Sequence, residues 1–292
     1  MKPIAILQHE ATQGPGVLRE YLQQHGIPFE VITPCVDNQV SLRATDYRGL
    51  VVLGSNHCAN EQLHWIEQER CLLQDALRHD VPVLVHCFGA QILARAMGAR
   101  VWRNPCPNIG WSPAWVTKPA QELWHLPSEI TLFNWHYDTF EIPKGATRSM
   151  YGAFCLNKGF VQGRNWAFQG HLEVTADSVK SWCNEGRDEL RHATGPAVQH
   201  ESQILACLPQ NIDALHATAM NVYSAWMQEL DRPLLLQLGE LAKACKKTSK
   251  DGIVTSTHAK SSVDLENSSF GSLKYQSSLA EKTKVILAKA VH

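Results

Sequence analysis

The most informative segment of this chain is Val83-Leu84-Val85-His86-Cys87-Phe88-Gly89-Ala90-Gln91-Ile92-Leu93. It opens with a short apolar run, which is typical of a buried strand. The residues from Ala90 to Met97 have helical spacing, and Gly98 after them is a common helix terminator. In an open parallel sheet, ligands bind outside the carboxyl ends of the strands. Cys87 stands where the strand gives way to the helix, which makes it the first candidate for a functional residue.

The residues before this stretch alternate in the same way. Short apolar runs predict strands, and amphipathic spacing predicts helices. The predicted strands are Ile4–Leu7, Phe29–Ile32, Leu50–Leu53 and Val81–Val85, and the predicted helices are Gly16–His25, Glu61–Arg78 and Ala90–Met97. This alternation favours an α/β fold of three layers, α/β/α, in which helices cover both faces of a mostly parallel sheet.

The pattern changes beyond Arg100, where short apolar segments are separated by Pro, Gly and Asn turns. We expect these segments to extend the sheet in antiparallel fashion, with helices after them. The predicted strands are Val101–Trp102, Trp111–Val116, Ile130–Trp135, Ala153–Leu156 and Trp166–Gln169, and the predicted helices are Thr175–Cys183, Ser202–Leu208 and Ala214–Glu229.

These elements indicate three parts. Residues 1–190 would form the main domain, and residues 191–231 would form a helical addition packed on it. From near Lys246 the sequence becomes rich in serine and lysine and contains no tryptophan. Such a composition cannot bury enough apolar surface to order itself, so we expect residues 232–292 to be a flexible tail.

The composition narrows the function classes. The chain has 292 residues, 44% of them apolar, and a formal net charge of −1, so we expect no binding to nucleic acid. No apolar stretch is long enough for a membrane helix, and the apolar run at the N-terminus is too short for a signal peptide, so we expect no membrane association. The nine cysteines include no CxxC pair, which favours free thiols in a reducing cytoplasm.

The place of Cys87 suits a nucleophile. A residue on a sharp turn between strand and helix is lifted above the sheet. The helix that follows offers free N–H groups and a positive dipole end, which favour a thiolate and can stabilise an oxyanion. The alternative is a buried cysteine at a strand end, and this segment alone does not decide between the two.

A second segment supplies a base. In Trp166-Ala167-Phe168-Gln169-Gly170-His171-Leu172-Glu173-Val174-Thr175, a predicted strand ends near His171, and Glu173 follows two residues later. Residues two apart in an extended chain point to the same side. The carboxylate of Glu173 can therefore hold the imidazole in one tautomer and leave its other nitrogen free for a thiol proton. A His-x-Glu pair alone is weak evidence, because many such pairs lie on surfaces.

Together these segments resemble the class I glutamine amidotransferases, which have a glycine-rich cysteine elbow followed by Gln and a later histidine-x-glutamate segment. The block Trp135-His136-Tyr137-Asp138-Thr139-Phe140 is similar to one in stand-alone members like the glutaminase domain of GMP synthase. Val51-Val52-Leu53-Gly54-Ser55 stands where that family has its oxyanion loop. The resemblance covers roughly residues 1 to 190 and implies a flavodoxin-like fold.

The resemblance also implies roles for individual residues. Cys87 would attack the γ-carboxamide of glutamine, with His171 as base and Glu173 as the group that orients it. The oxyanion would be held by Gly54, Ser55 and Phe88, and the substrate by Gln91, Trp135 and His136. No cofactor is implied. His57, Cys58, His64 and Cys71 match no common zinc spacing, so we expect no metal site.

The chain departs from the family pattern at several positions. Val85 and Ser55 replace glycines. His86 replaces an apolar residue and is expected to be a core histidine rather than a second base. Gly170 replaces an aromatic residue, which is expected to widen the pocket. Leu172 replaces a proline, which is expected to loosen the loop that carries His171.

Three functions therefore remain open. The first is a glutamine-hydrolysing enzyme acting on glutamine or another γ-glutamyl small molecule. Since no GxxxxGK[ST] phosphate loop or synthetase domain is recognisable, its ammonia would go to a separate synthetase partner or be released. The second is a γ-glutamyl peptidase-like hydrolase, which the widened pocket would favour. The third is a catalytically silent regulatory or binding subunit with the same fold.

Overall fold

The computed structural model describes residues 2–37 and 43–250 of the chain. It contains nine strands and eight α-helices in these residues. The strands are β1 Ile4–Leu7, β2 Phe29–Ile32, β3 Gly49–Val52, β4 Val83–His86, β5 Val101–Val116, β6 Glu129–Phe140, β7 Thr147–Tyr151, β8 Gly159–Gln162 and β9 Asn165–Phe168. The helices are α1 Gly16–Gln24, α2 Pro34–Asp37, α3 His64–Arg78, α4 Phe88–Ala96, α5 Lys118–Trp124, α6 Ala176–Glu185, α7 Arg187–His192 and α8 Glu201–Lys250. None of the described helices is both long and apolar enough to cross a membrane.

All nine strands belong to one sheet, in the order β2-β1-β3-β4-β9-β8-β7-β5-β6. The first five in this order pair in parallel, and the remaining pairs are antiparallel. The parallel part has the 2-1-3-4-5 type of strand order found in flavodoxin-like folds. The predicted α/β fold with an antiparallel extension is therefore confirmed.

The parallel strands are short and apolar because both of their faces are covered. Ala5, Leu50 and Val83 point into a core that they share with α3 and α4. The alternate residues Ile6 and Leu84 point to the opposite face and are equally inaccessible to solvent. The carboxyl ends of β3, β4 and β9 consequently lie side by side at one edge of a rigid, buried sheet.

The antiparallel part differs from the prediction in three ways. Val101–Trp102 and Trp111–Val116 belong to one strand, β5, whose pairing with β6 shifts register between Arg103 and Asn108. That irregularity accommodates the prolines that suggested a turn. Ala153–Leu156 is not a strand; the N–H of Gly152 donates to the carbonyl of Cys155 at 2.9 Å and closes a loop. The strands β7 and β8 and the helix α5 were not predicted.

The two predicted C-terminal helices form one helix, α8. Its buried side chains follow helical spacing without a break across Pro209, and they are Ile204, Leu208, Ile212, Leu215, Ala219, Val222 and Trp226. Burial of this stripe outweighs the roughly 3 kcal/mol that an interior proline costs a helix. The chain divides into two compact units, one of Met1–Leu22 with Ile27–Leu230 and one of Gln23–Gly26 with the residues from Asp231 onward. The flexible tail expected from residue 232 stays a prediction, since α8 continues to Lys250 and residues 251–292 lie outside the described part.

Candidate active site

Cys87 occupies a sharp turn between β4 and α4. Its backbone has φ 51° and ψ −110°, a conformation that costs free energy for any residue with a side chain. Its N–H donates to the carbonyl of Phe168 at 2.8 Å, which ties the turn to β9. A Cβ at Gly89 would lie 2.4 Å from the carbonyl oxygen of Val52, so only glycine allows α4 to approach β3 this closely. The turn holds the cysteine at the carboxyl edge of the sheet.

His171 and Glu173 follow β9 and are hydrogen-bonded to each other. Nδ1 of His171 lies 2.7 Å from Oε1 of Glu173, so this nitrogen carries a proton. The other ring nitrogen, Nε2, is available for proton transfer. The loop is held at both ends, since the His171 N–H donates to Phe133 and the Val17 N–H donates to the Glu173 carbonyl, both at 2.9 Å. Leu172 is fully buried between these two anchors. Both anchors belong to the neighbours of Leu172, so the expectation that Leu172 loosens the loop stays a prediction.

Gly54 shows that the three segments meet. A Cβ on Gly54 would lie 2.9 Å from Cε1 of His171 and 3.8 Å from Cβ of Cys87. Cys87 also contributes to raising the pKa of the His171 imidazole, and its sulfur donates to the carbonyl oxygen of Trp135 at 3.8 Å. The tips of three adjacent strands thus bring a thiol and an imidazole close together, with the carboxylate of Glu173 behind the imidazole.

The electrostatics of this group centre on His171. Burial alone would lower the pKa of His171, but the charge of Glu173, the nearby Cys87 sulfur and the hydrogen bond to Glu173 outweigh it and raise the pKa to about 10. Burial works against ionisation of Glu173, but the neighbouring His86 and His171 rings hold the pKa of its carboxyl below its ordinary value. The imidazolium form of His171 is therefore favoured beside the Glu173 carboxylate.

His86 is a buried histidine, as predicted. Its ring stacks on Phe168 with centroids 5.7 Å apart, and its Nδ1 lies 3.5 Å from Oε2 of Glu173. Burial, followed by the charge of His171, lowers the pKa of His86, although Glu173 opposes this. His86 therefore lies behind the carboxylate and is not among the residues that line the cavity over Cys87.

Ser55 and Phe88, two of the residues predicted to hold an oxyanion, lie beside the same cavity. The N–H of Phe88 is the first of α4 and has no carbonyl within the helix to bond. Ser55 does not adopt a positive φ, so its replacement of glycine imposes no backbone strain. Both residues line the cavity that contains Cys87. Their role as oxyanion donors stays a prediction.

A cavity of about 300 Å³ opens above Cys87. Of the residues predicted to bind substrate, Gln91, Trp135 and His136 all line it. Gln91 donates to the carbonyl of Asp138 at 3.3 Å and to Oε1 of Gln169 at 3.4 Å. Burial, aided by the charge of Lys158, lowers the pKa of His136 well below its ordinary value. His136 is therefore a neutral hydrogen-bonding wall of the cavity.

Charged residues surround the opening of the cavity, and two of them, Arg103 and Glu189, were not predicted from the sequence. Arg103 lies over the ring of Tyr137 at 4.2 Å and 3.7 Å from Asp138. Glu189, on α7, accepts from Nε1 of Trp135 at 3.2 Å. Tyr137 and Asp138 belong to the block of residues 135–140 that resembles the family, whereas Arg103 and Glu189 lie in segments without a recognisable motif.

Gly170 does not widen this cavity. A Cβ at Gly170 would meet Cδ1 of Leu132 at 3.1 Å and the carbonyl oxygen of Phe133 at 3.2 Å. The position faces β6, and Gly170 is not one of the residues that line the cavity. The expected opening of the pocket wall is therefore wrong, because the missing side chain would have occupied space that the sheet already fills.

The family model for class-I glutamine amidotransferases matches residues 16–181, which is more than half of the chain. This chain belongs to the class-I glutamine amidotransferase family. A solved glutamine amidotransferase structure from Methylobacillus flagellatus is 35% identical, with a TM-score of 0.76, and the match covers 78% of this chain and 95% of that one. The amidotransferase fold therefore extends over most of the described residues.

Named relatives of this amidotransferase include proteins of different activity. It is 29% identical to a glutamine amidotransferase-type protein of Saccharomyces cerevisiae (YLR126C), over 51% of this chain and 62% of that protein. It is 28% identical to one subunit of the glutamine-hydrolysing GMP synthase of Thermoplasma acidophilum, over 60% of this chain and 82% of that one. It is 27% identical to gamma-glutamyl peptidase 4 of Arabidopsis thaliana, over 45% of this chain and 55% of that one.

Proposed function

We propose that this amidotransferase hydrolyses the γ-amide of glutamine or of a related γ-glutamyl compound, through a thioester on Cys87. The observation that carries the proposal is the convergence of Cys87, His171 and Gly54 at the tips of adjacent strands, with Glu173 hydrogen-bonded behind the imidazole. These groups supply a nucleophile, a base and a place for the oxyanion, which are the parts that cleavage of an amide through a thioester needs.

The first step forms the thioester. The Cys87 sulfur attacks the γ-carboxamide carbon, and the carbonyl oxygen becomes an oxyanion held by the N–H groups of Ser55 and Phe88. When the intermediate collapses, the carbon–nitrogen bond breaks and His171 gives its proton to the departing ammonia. Its pKa of about 10 suits this role, because the proton already resides on the imidazole before the attack.

The second step consumes water. His171, now neutral, removes a proton from a water molecule that attacks the thioester carbon at the same oxyanion site. The carbon–sulfur bond breaks, and the proton taken from water remains on the imidazole, as before the attack. The products are glutamate and the free cysteine, so the balance is one water consumed and one ammonia released. Glu173 holds the imidazole in one orientation through both steps.

The α-amino and α-carboxylate groups of the substrate would be held at the rim of the cavity. Gln91, Trp135 and His136 line the cavity, while Arg103 and Asp138 offer a positive and a negative charge. A free amino acid carries both charges at its α-carbon, so this rim matches glutamine. A cavity of about 300 Å³ is at the lower end for small-molecule sites, which also suits a substrate of this size.

The fate of the ammonia depends on a partner. A relative in Thermoplasma acidophilum is a subunit of a GMP synthase. We propose that this chain either supplies ammonia to a separate synthetase chain or releases it. The eight described cysteines that carry free thiols suit a reducing compartment, and we place the protein in the cytoplasm.

Hydrolysis of γ-glutamyl peptides is the second candidate. It is favoured by the similarity to gamma-glutamyl peptidase 4 and by the charged rim formed by Arg103, Tyr137 and Glu189, which could hold the second residue of a dipeptide. The chemistry on Cys87 would be the same, with an amino acid in place of ammonia as the leaving group.

Labelling followed by product analysis tests the proposal. A chloroketone analogue of glutamine is expected to alkylate Cys87 and no other cysteine, as read by peptide mass spectrometry, and Cys87→Ala is the control. Purified protein is then given glutamine or γ-glutamyl dipeptides, and glutamate is quantified. Faster release from dipeptides would favour the peptidase activity. Absence of both labelling and turnover would leave a silent subunit with the amidotransferase fold.

A further inference from the structure

A second buried acid–base pair lies outside the group formed by Cys87, His171 and Glu173. His9 follows β1 and Glu69 belongs to α3; Nε2 of His9 lies 2.9 Å from Oε2 of Glu69, and both side chains are completely inaccessible to solvent. The other ring nitrogen of His9, Nδ1, lies 2.9 Å from the carbonyl oxygen of Gly54. The pairing of Leu7 with Val52 places His9 and Gly54 each two residues beyond the same strand pair.

The direction of the hydrogen bond to Gly54 is unambiguous. A carbonyl oxygen only accepts, so Nδ1 of His9 must carry a hydrogen. Burial lowers the pKa of His9, but the charge and hydrogen bond of Glu69 outweigh it, and the hydrogen bond to Gly54 adds to the rise. His9 is therefore locked as a donor towards Gly54.

This hydrogen bond determines which way the Gly54–Ser55 peptide faces. In a trans peptide the carbonyl and the N–H point in opposite directions. Because the Gly54 carbonyl points at His9, the Ser55 N–H points away from it. Among the described residues none accepts a hydrogen bond from that N–H, and Ser55 lines the cavity over Cys87.

His9 also touches the second proposed oxyanion donor. Its ring meets the ring of Phe88 edge-on, with centroids 4.9 Å apart, and packs against Trp65 at 5.2 Å. One side chain thus contacts the residues on both sides of the place where the oxyanion would form. These contacts leave the imidazole little freedom to turn away from Gly54.

Stability alone explains this pair poorly. A buried ion pair seldom stabilises a fold relative to apolar residues of the same size, because both charges lose their hydration. The second oxygen of Glu69, Oε1, is buried and has no hydrogen-bond partner among the described residues. The His9–Glu69 pair is therefore better explained by the orientation that it imposes on the backbone at Gly54 than by a gain in stability.

We propose that His9, supported by Glu69, is a positioning residue that holds the Gly54–Ser55 peptide with its N–H directed into the oxyanion site. The inference rests on the proposed function, since an oxyanion forms only if Cys87 attacks a carbonyl. It predicts that loss of the Nδ1 donor lets the peptide turn over, which would present a carbonyl oxygen to the reacting centre in place of an N–H.

Two variants in a Glu69→Gln background test this, so that no carboxylate is left buried without a partner. Glu69→Gln/His9→Leu removes the donor to Gly54. Glu69→Gln/His9→Asn keeps one, because Nδ2 of asparagine can take the place of Nδ1. Should the leucine variant fail to fold, His9→Met in the same background is the second variant without a donor. Each is compared with Glu69→Gln by glutamine hydrolysis, by iodoacetamide alkylation of Cys87 and by crystallography.

The leucine variant is expected to lose about 10²-fold in kcat, the effect of one oxyanion donor, with little change in KM. The asparagine variant should recover most of that loss. Alkylation by iodoacetamide displaces iodide and forms no oxyanion, so its rate should be equal in all three proteins. Equal kcat in the leucine and asparagine variants would overturn the proposal.

The crystal structures separate this inference from the proposed function. If the parent protein hydrolyses neither glutamine nor γ-glutamyl dipeptides, the proposed function fails, but the orientation of the Gly54–Ser55 peptide still reports on His9. A peptide that turns over in the leucine variant and not in the asparagine variant supports the positioning role. An unchanged peptide in both refutes it.

Discussion

Nδ1 of His171 lies 2.7 Å from Oε1 of Glu173, and neither side chain is more than 3% exposed. A charged hydrogen bond this far from solvent strongly affects the proton affinity of the imidazole. The carboxylate therefore controls both the orientation and the charge of the proposed base.

Glu173→Gln is expected to lower kcat on the order of 10²–10⁴-fold, because the amide no longer stabilises the imidazolium. The change should also move the alkaline limb of the pH–rate profile. Glu173 helps to raise the pKa of His171 to about 10, so without its charge the imidazole loses its proton at lower pH. Activity should then decline at a lower pH than in the parent protein. Asp177→Asn, at an exposed carboxylate on α6, is the control that should change neither quantity.

Gly54→Ala is expected to reduce activity by about 10²-fold or more. The added Cβ would lie 2.7 Å from Oε1 of Gln13 and 2.9 Å from Cε1 of His171, so the imidazole must move, and a shift near 1 Å costs about that factor. Gly14→Ala is the matched control, since its Cβ would meet Gln8 at an ordinary 3.5 Å. Steady-state kinetics of the two variants measure the difference. Equal kcat/KM in both would show that His171 need not stay where it lies.

Cys87→Gly is expected to unfold at higher denaturant concentration than Cys87→Ala, with a free energy of unfolding larger by about 1 kcal/mol. Alanine keeps the side-chain cost of φ 51°, whereas glycine does not. The order should reverse at Cys155, a buried cysteine without positive φ, where glycine only adds freedom to the unfolded chain. Urea unfolding of the four variants provides the test. The same order at both positions would contradict strain at Cys87.

His86→Leu is expected to make the protein less sensitive to acid. Burial lowers the folded-state pKa of His86 below its ordinary 6.5, so its contribution is fully present above that pH and is lost as the unfolded chain takes up a proton on acidification. Between pH 7 and pH 5 the leucine variant should lose roughly 1–2 kcal/mol less free energy of unfolding than the parent protein. Exposed His200→Gln should behave as the parent does. Parallel stability curves for parent and leucine variant would refute this account.

The parallel half of the fold could be predicted closely because its signals are local. Ile4–Leu7 and Phe29–Ile32 have the predicted bounds. Cys87 was conspicuous for the same reason, since an apolar run and a helical pattern meet at it within a few residues. His171 and Glu173 were recognisable as a pair because they are neighbours in the chain.

The antiparallel half was harder, because its features depend on contacts between distant segments. The prolines between Arg103 and Asn108 predict a turn, and only the pairing of β5 with β6 shows that the strand continues through them. Arg103 and Glu189 reach the cavity from elements that carry no motif. The contact between His9 and Glu69 joins residues 60 positions apart, and no spacing in either segment suggests it.

The long strand pair of β5 and β6 has a consequence for how this protein can change. The cysteine, histidine and glutamate are held by the parallel strands, while Arg103, Tyr137 and Asp138 stand on the antiparallel pair beside them. Under the proposed function, substitutions of these three side chains would alter which γ-glutamyl compound is accepted, while the backbone of β6, to which His171 is hydrogen-bonded through Phe133, stays in place. Directed evolution of new selectivity would therefore best begin at Arg103, Tyr137 and Asp138.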